Sequence, residues 1–200
     1  MDQGGFNIQG VSISDMVAQS ISVLTKPSVA TFEAFEKKGG QREALIYVGV
    51  AAAIVAVVSF VFGIFGGIGH AIIALVFGFI GPIVGFFLFA LVLFYIARSQ
   101  GGTGTQEEVF YTVSLYTAPI LAVSGIVGAI PFINCILLPV QLVLTVYQAY
   151  LAYLAARSSM NLDQTKGIIS VVGAIVAMWI GIAIVASISG LLLIGSSYRP

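Results

Sequence analysis

Charge is scarce in this chain, and the scarcity decides its class. Asp, Glu, Lys and Arg make up 8% of its 200 residues, where a soluble domain carries roughly 25%. Another 59% are hydrophobic, and the mean hydropathy is +1.09. Water therefore cannot be its main solvent, and the composition points to a polytopic membrane protein. The one cysteine, Cys135, cannot form an intramolecular disulfide and reads as a small buried side chain at the start of an apolar helix. The one histidine, His70, falls at a membrane turn without the second imidazole or thiolate cluster that a zinc site needs. No metal, cofactor or nucleic-acid partner is expected.

The charges that remain divide the chain. From Val109 to Ala156 there is none, and one helix of that length would be more than twice the ~30 Å hydrocarbon core, so the stretch crosses twice. Pro131, Phe132, Ile133 and Asn134 supply the turn. The charge-free run between Glu43 and Arg98 also crosses twice, broken at Gly66, Gly67, Ile68, Gly69 and His70. A last run follows Lys166. The expected fold is all-α: a bundle of five transmembrane helices at about 44–65, 71–97, 109–130, 134–156 and 167–194, with Gly81 and Pro82 bending the second.

Residues 1–42 form a separate N-terminal segment before the membrane domain at 43–200. Met1 to Gly10 lacks the pattern of a secretory signal and reads as a mobile tail. A short amphipathic helix from Ser14 would place Val17, Ile21 and Leu24 on its apolar side, with Asp15, Gln19 and Ser20 on the polar one. A second would start at Pro27, capped by Thr25, and stop at Gly39 and Gly40. Its Phe32 and Phe35 either pack on the ends of the membrane helices or dip into the interface, with Glu33, Glu36, Lys37 and Lys38 facing water.

Five crossings put Lys26, Lys37, Lys38, Arg42, Arg98, Arg157 and Lys166 on one side and leave only Arg199 on the other. The positive-inside tendency then makes the N-terminus cytoplasmic and the C-terminus external. Small-residue stripes run along the helices: Ala52, Ala56, Ser59 and Gly63; Gly78, Gly81 and Gly85; Gly125 and Gly128; Gly173, Ala177 and Gly181. They predict internal helix packing first and a homo-oligomeric face second.

No Asp, Glu, Lys or Arg lies inside any expected span, which weighs against an ion pump. Gly101, Gly102, Thr103 and Gly104 lack the lysine of a phosphate-binding loop, so the glycines turn the chain while Thr105 and Glu108 form a capping box. In the fourth helix Gln141, Thr145 and Gln148 share a face, as interhelical glue or as the lining of a cavity for a small neutral solute. Tyr147, Tyr150 and Tyr153 read as interfacial anchors. In an antiparallel hairpin, residues equidistant from the turn lie at one depth, which brings Thr117 toward Gln148 and Ser124 toward Gln141.

These features together resemble the Yip family, the Ypt/Rab-interacting-protein membrane domain, in its shorter bacterial and archaeal form. The landmarks are Leu24-Thr25-Lys26-Pro27 with Phe32, then Gly101-Gly102-Thr103-Gly104-Thr105, then Tyr116-Thr117-Ala118-Pro119, and finally Met160-Asn161-Leu162-Asp163-Gln164-Thr165-Lys166. The resemblance implies an integral membrane protein without established enzymatic activity. Eukaryotic relatives act in traffic between endoplasmic reticulum and Golgi and bind Rab-type GTPases on the cytoplasmic side. This chain has neither their long cytoplasmic N-terminal region nor their Asp-Leu-Tyr-Gly-Pro motif, so Rab binding is not carried over.

The expected role is a non-catalytic scaffold or adaptor for a membrane or cytoplasmic protein partner. The expected location is a prokaryotic plasma membrane, with the ER or Golgi membrane as the alternative. A channel or transporter for a small neutral or lipid-like solute is the competing function.

Overall fold

The structure, a computed structural model, describes residues 10–130 and 136–197, with side chains described through Gly181. Two short helices, α1 (Ile13–Thr25) and α2 (Val29–Glu33), precede five long ones: α3 (Gln41–Gly63), α4 (Ile68–Ser99), α5 (Gln106–Ala129), α6 (Leu138–Met160) and α7 (Gln164–Ser197). Each of the five is long and apolar enough to cross a membrane. There is no strand among the described residues. The expected turn at Pro131–Asn134, Cys135 and Arg199 lie outside them.

Helix boundaries differ from the charge-free runs for a physical reason. α3, α5 and α7 begin before those runs because each uses a charged residue to satisfy the free amides of its first turn. Glu43 accepts from the Gly40 amide at 3.0 Å, and Asp163 accepts from the Lys166 amide at 2.9 Å. The Thr105 hydroxyl accepts from the Glu108 amide at 3.3 Å while Glu108 accepts from the Thr105 amide at 2.9 Å, the expected capping box. α6 starts later and runs further than expected. Pro139 is tolerated in its first turn, and left-handed Asn161, at φ 53°, closes it with the Leu162 amide on the Arg157 carbonyl at 3.1 Å.

α5 is the central helix. Every residue from Val109 to Tyr116 is buried, on all sides of the helix, against α3, α6, α4 and α1. α4, by contrast, is buried at only a few positions and presents Phe77, Phe79, Ile80 and Val84 outward, as a lipid-facing helix does. The small-residue stripes serve internal contacts where they meet a neighbour. Gly78 lies over the Ala56 backbone, 3.1 Å from where a β-carbon would stand, Gly63 packs on Ala71 of α4, and Gly125 packs on Val55. Gly81, Gly85, Gly128 and Gly181 meet nothing within 4 Å. α4 continues through Gly81 and Pro82 as one helix.

The N-terminal segment departs most from expectation. α1 is turned over: Ile13, Val17 and Ile21 are exposed, whereas Met16, Gln19, Ser20 and Val23 are buried. α2 is capped by Ser28, whose hydroxyl accepts from the Thr31 amide at 3.1 Å, and not by Thr25. Gly39 and Gly40 open α3 instead of closing α2, and a β-carbon at Gly39 would collide with the Tyr111 ring. Phe32 does follow one of the two expected alternatives: it is wholly buried inside the protein, edge-on to Tyr116 with ring centroids 6.4 Å apart. Glu36, expected in water, is buried as well.

Candidate functional site

Two constellations gather the polar residues. The first closes the basic end of the bundle, where the N-terminal segment and the α4–α5 and α6–α7 connections meet. Gln19 accepts from the Tyr111 hydroxyl at 2.8 Å, and Ser20 shares a hydrogen bond with the Tyr47 hydroxyl at 2.9 Å. The Tyr147 hydroxyl donates to the Leu24 carbonyl at 2.6 Å, and Ser158 donates to the Glu36 carboxylate at 2.9 Å. The two connections are braced by the Thr103 amide on the Met160 carbonyl at 3.1 Å and by Asn161 Nδ2 on the Thr103 hydroxyl at 3.0 Å. Gly104 sits against the Ser159 carbonyl with no room for a β-carbon, and Gly101 takes a left-handed φ of 92°. The glycine-rich loop is therefore a packing device. The sequence reading sent Gln19, Ser20 and Glu36 toward water and passed over Tyr47, Tyr111 and Ser158; the usable signal was tyrosines near the starts of α3 and α5, which offer hydroxyls to the polar face of α1.

Burial pushes the Glu36 carboxyl above the usual glutamate range; the Ser158 hydrogen bond lowers it in part, while the negative charge of Glu108 adds to the rise. Lys37 offers only a distant partner at 3.8 Å. A raised folded-state value means the protonated form is favoured by folding. Stability is therefore gained as pH falls through the titration of Glu36 in the fold, is fully present below the unfolded glutamate value of ~4.3, and is lost as pH rises. We expect the parent protein to melt higher near about pH 5 than near about pH 8, and Glu36→Gln to flatten that dependence. Equal slopes for the two proteins in detergent melting curves would remove Glu36 from the account.

The second constellation lies between α4, α5, α6 and α7. A cavity of about 180 Å³ is lined by Phe89, Tyr116, Thr145, Gln148, Ala149, Ala152 and Ile175. Tyr116 is fully buried, and its hydroxyl has no hydrogen-bond partner among the described residues. The neighbouring Thr117 hydroxyl approaches it without reaching hydrogen-bond geometry. Gln148 is half-buried and Thr145 exposed, so the cavity runs from an outer edge at Thr145 to an inner wall at Tyr116.

The singled-out residues separate accordingly. Gln141 reaches Ser124, as the hairpin geometry requires, but its amide donates to the Ser124 carbonyl at 3.2 Å and not to the hydroxyl. Thr145 donates to the Gln141 carbonyl at 2.8 Å within its own helix. No hydrogen bond joins Thr117 to Gln148 among the described residues; Gln148 shares the cavity with Tyr116 instead. The side chains therefore divide between glue at Gln141 and cavity wall at Gln148. Pro119 lies inside α5, half-buried, and Gly81 and Pro82 lie on α4 away from both constellations. Tyr147, Tyr150 and Tyr153 form a row with successive centroids 6.4 and 6.5 Å apart. Among the described residues no group of three His, Cys, Asp or Glu side chains could hold a metal.

Comparison with curated proteins and with solved structures gives no match. The Yip1 domain family model, however, matches residues 21–195. That span takes in α2, the long helices α3 to α6 and α7 as far as residue 195, the glycine-rich loop, and both Tyr116 and Gln148. The multi-pass membrane protein built from these helices belongs to the Yip1 domain family.

Proposed function

We propose that this Yip1 domain protein is a non-catalytic membrane scaffold or adaptor, with its basic end on the cytoplasmic side of a prokaryotic plasma membrane and its C-terminus outside. The observation that carries the reading is the bracing of the basic end. Its hydrogen bonds join residues 92, 122 and 123 positions apart, which holds three chain segments in one rigid arrangement. Exposed Glu33, Lys37, Lys38, Glu107 and Lys166 are fixed on that platform as a mixed-charge surface of the kind a protein partner reads. Buried polar groups there are spent on structural bonds, which leaves no free acid, base and nucleophile grouped for chemistry among the described residues.

In-cell crosslinking with mass spectrometry tests this. Lys37, Lys38 or Lys166 should crosslink reproducibly to a partner protein or to a second copy, and reversing the charge of both Lys37 and Lys38 should remove most of the product. Absence of any reproducible product, with solute flux in vesicles that depends on Gln148, would favour a transporter, the reading to which the Tyr116–Gln148 cavity lends support.

A further inference from the structure

We propose that the cavity between α4, α5, α6 and α7 is a lipid site that takes the ester-linked head of an acyl chain from a membrane glycerolipid. Three observations converge on that chemistry. The first is the Tyr116 hydroxyl, which is fully buried and unpartnered among the described residues. A buried hydroxyl without a partner is costly, and an acceptor that reaches it relieves that cost.

The second is the character of the wall. Tyr116, Thr145 and Gln148 are neutral hydrogen-bonding groups, and Phe89, Ala149, Ala152 and Ile175 are apolar. Nothing there would hold a charged group, while a carbonyl attached to a hydrocarbon chain matches both halves of the wall. At about 180 Å³ the cavity accommodates the start of one chain and not a whole lipid.

The third is depth. Tyr147 donates to the Leu24 carbonyl at 2.6 Å, and Lys26, two residues further, is charged and exposed, so this level must lie near the headgroups. Gln148 follows Tyr147 directly on α6 and therefore stands in the interfacial layer, where glycerolipid esters reside. Thr145 at the outer edge is flanked by exposed Leu142 and Val146, which opens the cavity sideways to lipid. No bond is made or broken; the site binds.

The test uses the full chain, purified in mild detergent, stripped of lipid and titrated with phosphatidylglycerol carrying either two ester-linked or two ether-linked chains. Native mass spectrometry counts retained lipid. The parent should retain one ester lipid about fivefold better than its ether counterpart, the increment a neutral hydrogen bond gives. Tyr116→Phe and Gln148→Leu should each abolish that preference. Equal retention of the two lipids by the parent, or a preference that survives both substitutions, overturns the site. Thermal unfolding separates this from a folding defect. Without lipid, Tyr116→Phe should melt at or above the parent temperature, because it removes an unpaired buried hydroxyl, and ester lipid should then raise the parent more than the variant. Equal increments in both proteins would also overturn the site, whether or not the scaffold reading holds.

Discussion

Gly104→Ala should be the most damaging single methyl group in the basic end of the bundle. A β-carbon at 104 would fall on the Ser159 carbonyl, and backbone at the end of α6 cannot step aside as a flexible side chain can. Overpacking in a tight core costs ~1–3 kcal/mol, and a clash against fixed backbone belongs at or above the upper end, at about 3 kcal/mol or more. Relief would require parting the two connections and breaking the Thr103–Met160 and Asn161–Thr103 hydrogen bonds. Two other glycines provide the scale. Gly101→Ala meets only the Lys166 ammonium at 3.9 Å but keeps a left-handed φ, so it should cost ~1 kcal/mol. Gly85→Ala meets nothing within 4 Å and should be neutral or slightly stabilising. Unfolding in mixed micelles that ranks the three in any other order would mean the glycine-rich loop does not pack as described.

Phe32→Ala should cost ~3–5 kcal/mol, the range for deleting a buried aromatic ring. Phe32 is wholly buried, and its loss takes away the edge-on contact with Tyr116. Because α2 is only five residues long and cannot hold itself as a helix, the damage should be local. The N-terminal segment undocks while the five spans remain helical. Limited proteolysis should then cut between Lys26 and Arg42 in the variant under conditions that leave the parent intact. A variant as resistant as the parent would show that Phe32 does not anchor the segment.

Much of the membrane fold was legible because lipid imposes simple demands. A run without charge long enough to cross must cross, and Gly66 and Gly67 carry the expected break, whereas Gly69 and His70, also expected in it, belong to the first turn of α4. The helix starts were less legible, since Glu43 and Glu108 stand in first turns and Asp163 caps α7 even though they are charged. Gln141 and Ser124 could be paired from the hairpin alone, which fixes depth but not whether hydroxyl or carbonyl accepts. α1 was misread for a deeper reason. Its sequence carries two faces, and the habit of sending Gln19 and Ser20 outward assumes water outside. Beside a membrane domain the polar face gains more by turning inward to Tyr47 and Tyr111, where each hydroxyl finds a partner. The Phe32–Tyr116 contact depends on that docking and leaves no trace in local periodicity.

The bracing of the basic end also sets an order of assembly. Gln19, Leu24 and Glu36 leave the ribosome early, but their partners Tyr111, Tyr147 and Ser158 follow 92, 123 and 122 residues later. At ~5–20 residues per second the segment waits roughly 6–25 s for its last partner. During that interval Glu36 can remain ionised in water, and its burial is deferred until α6 has been inserted. A segment synthesised ahead of its partners is thus among the last to find its place.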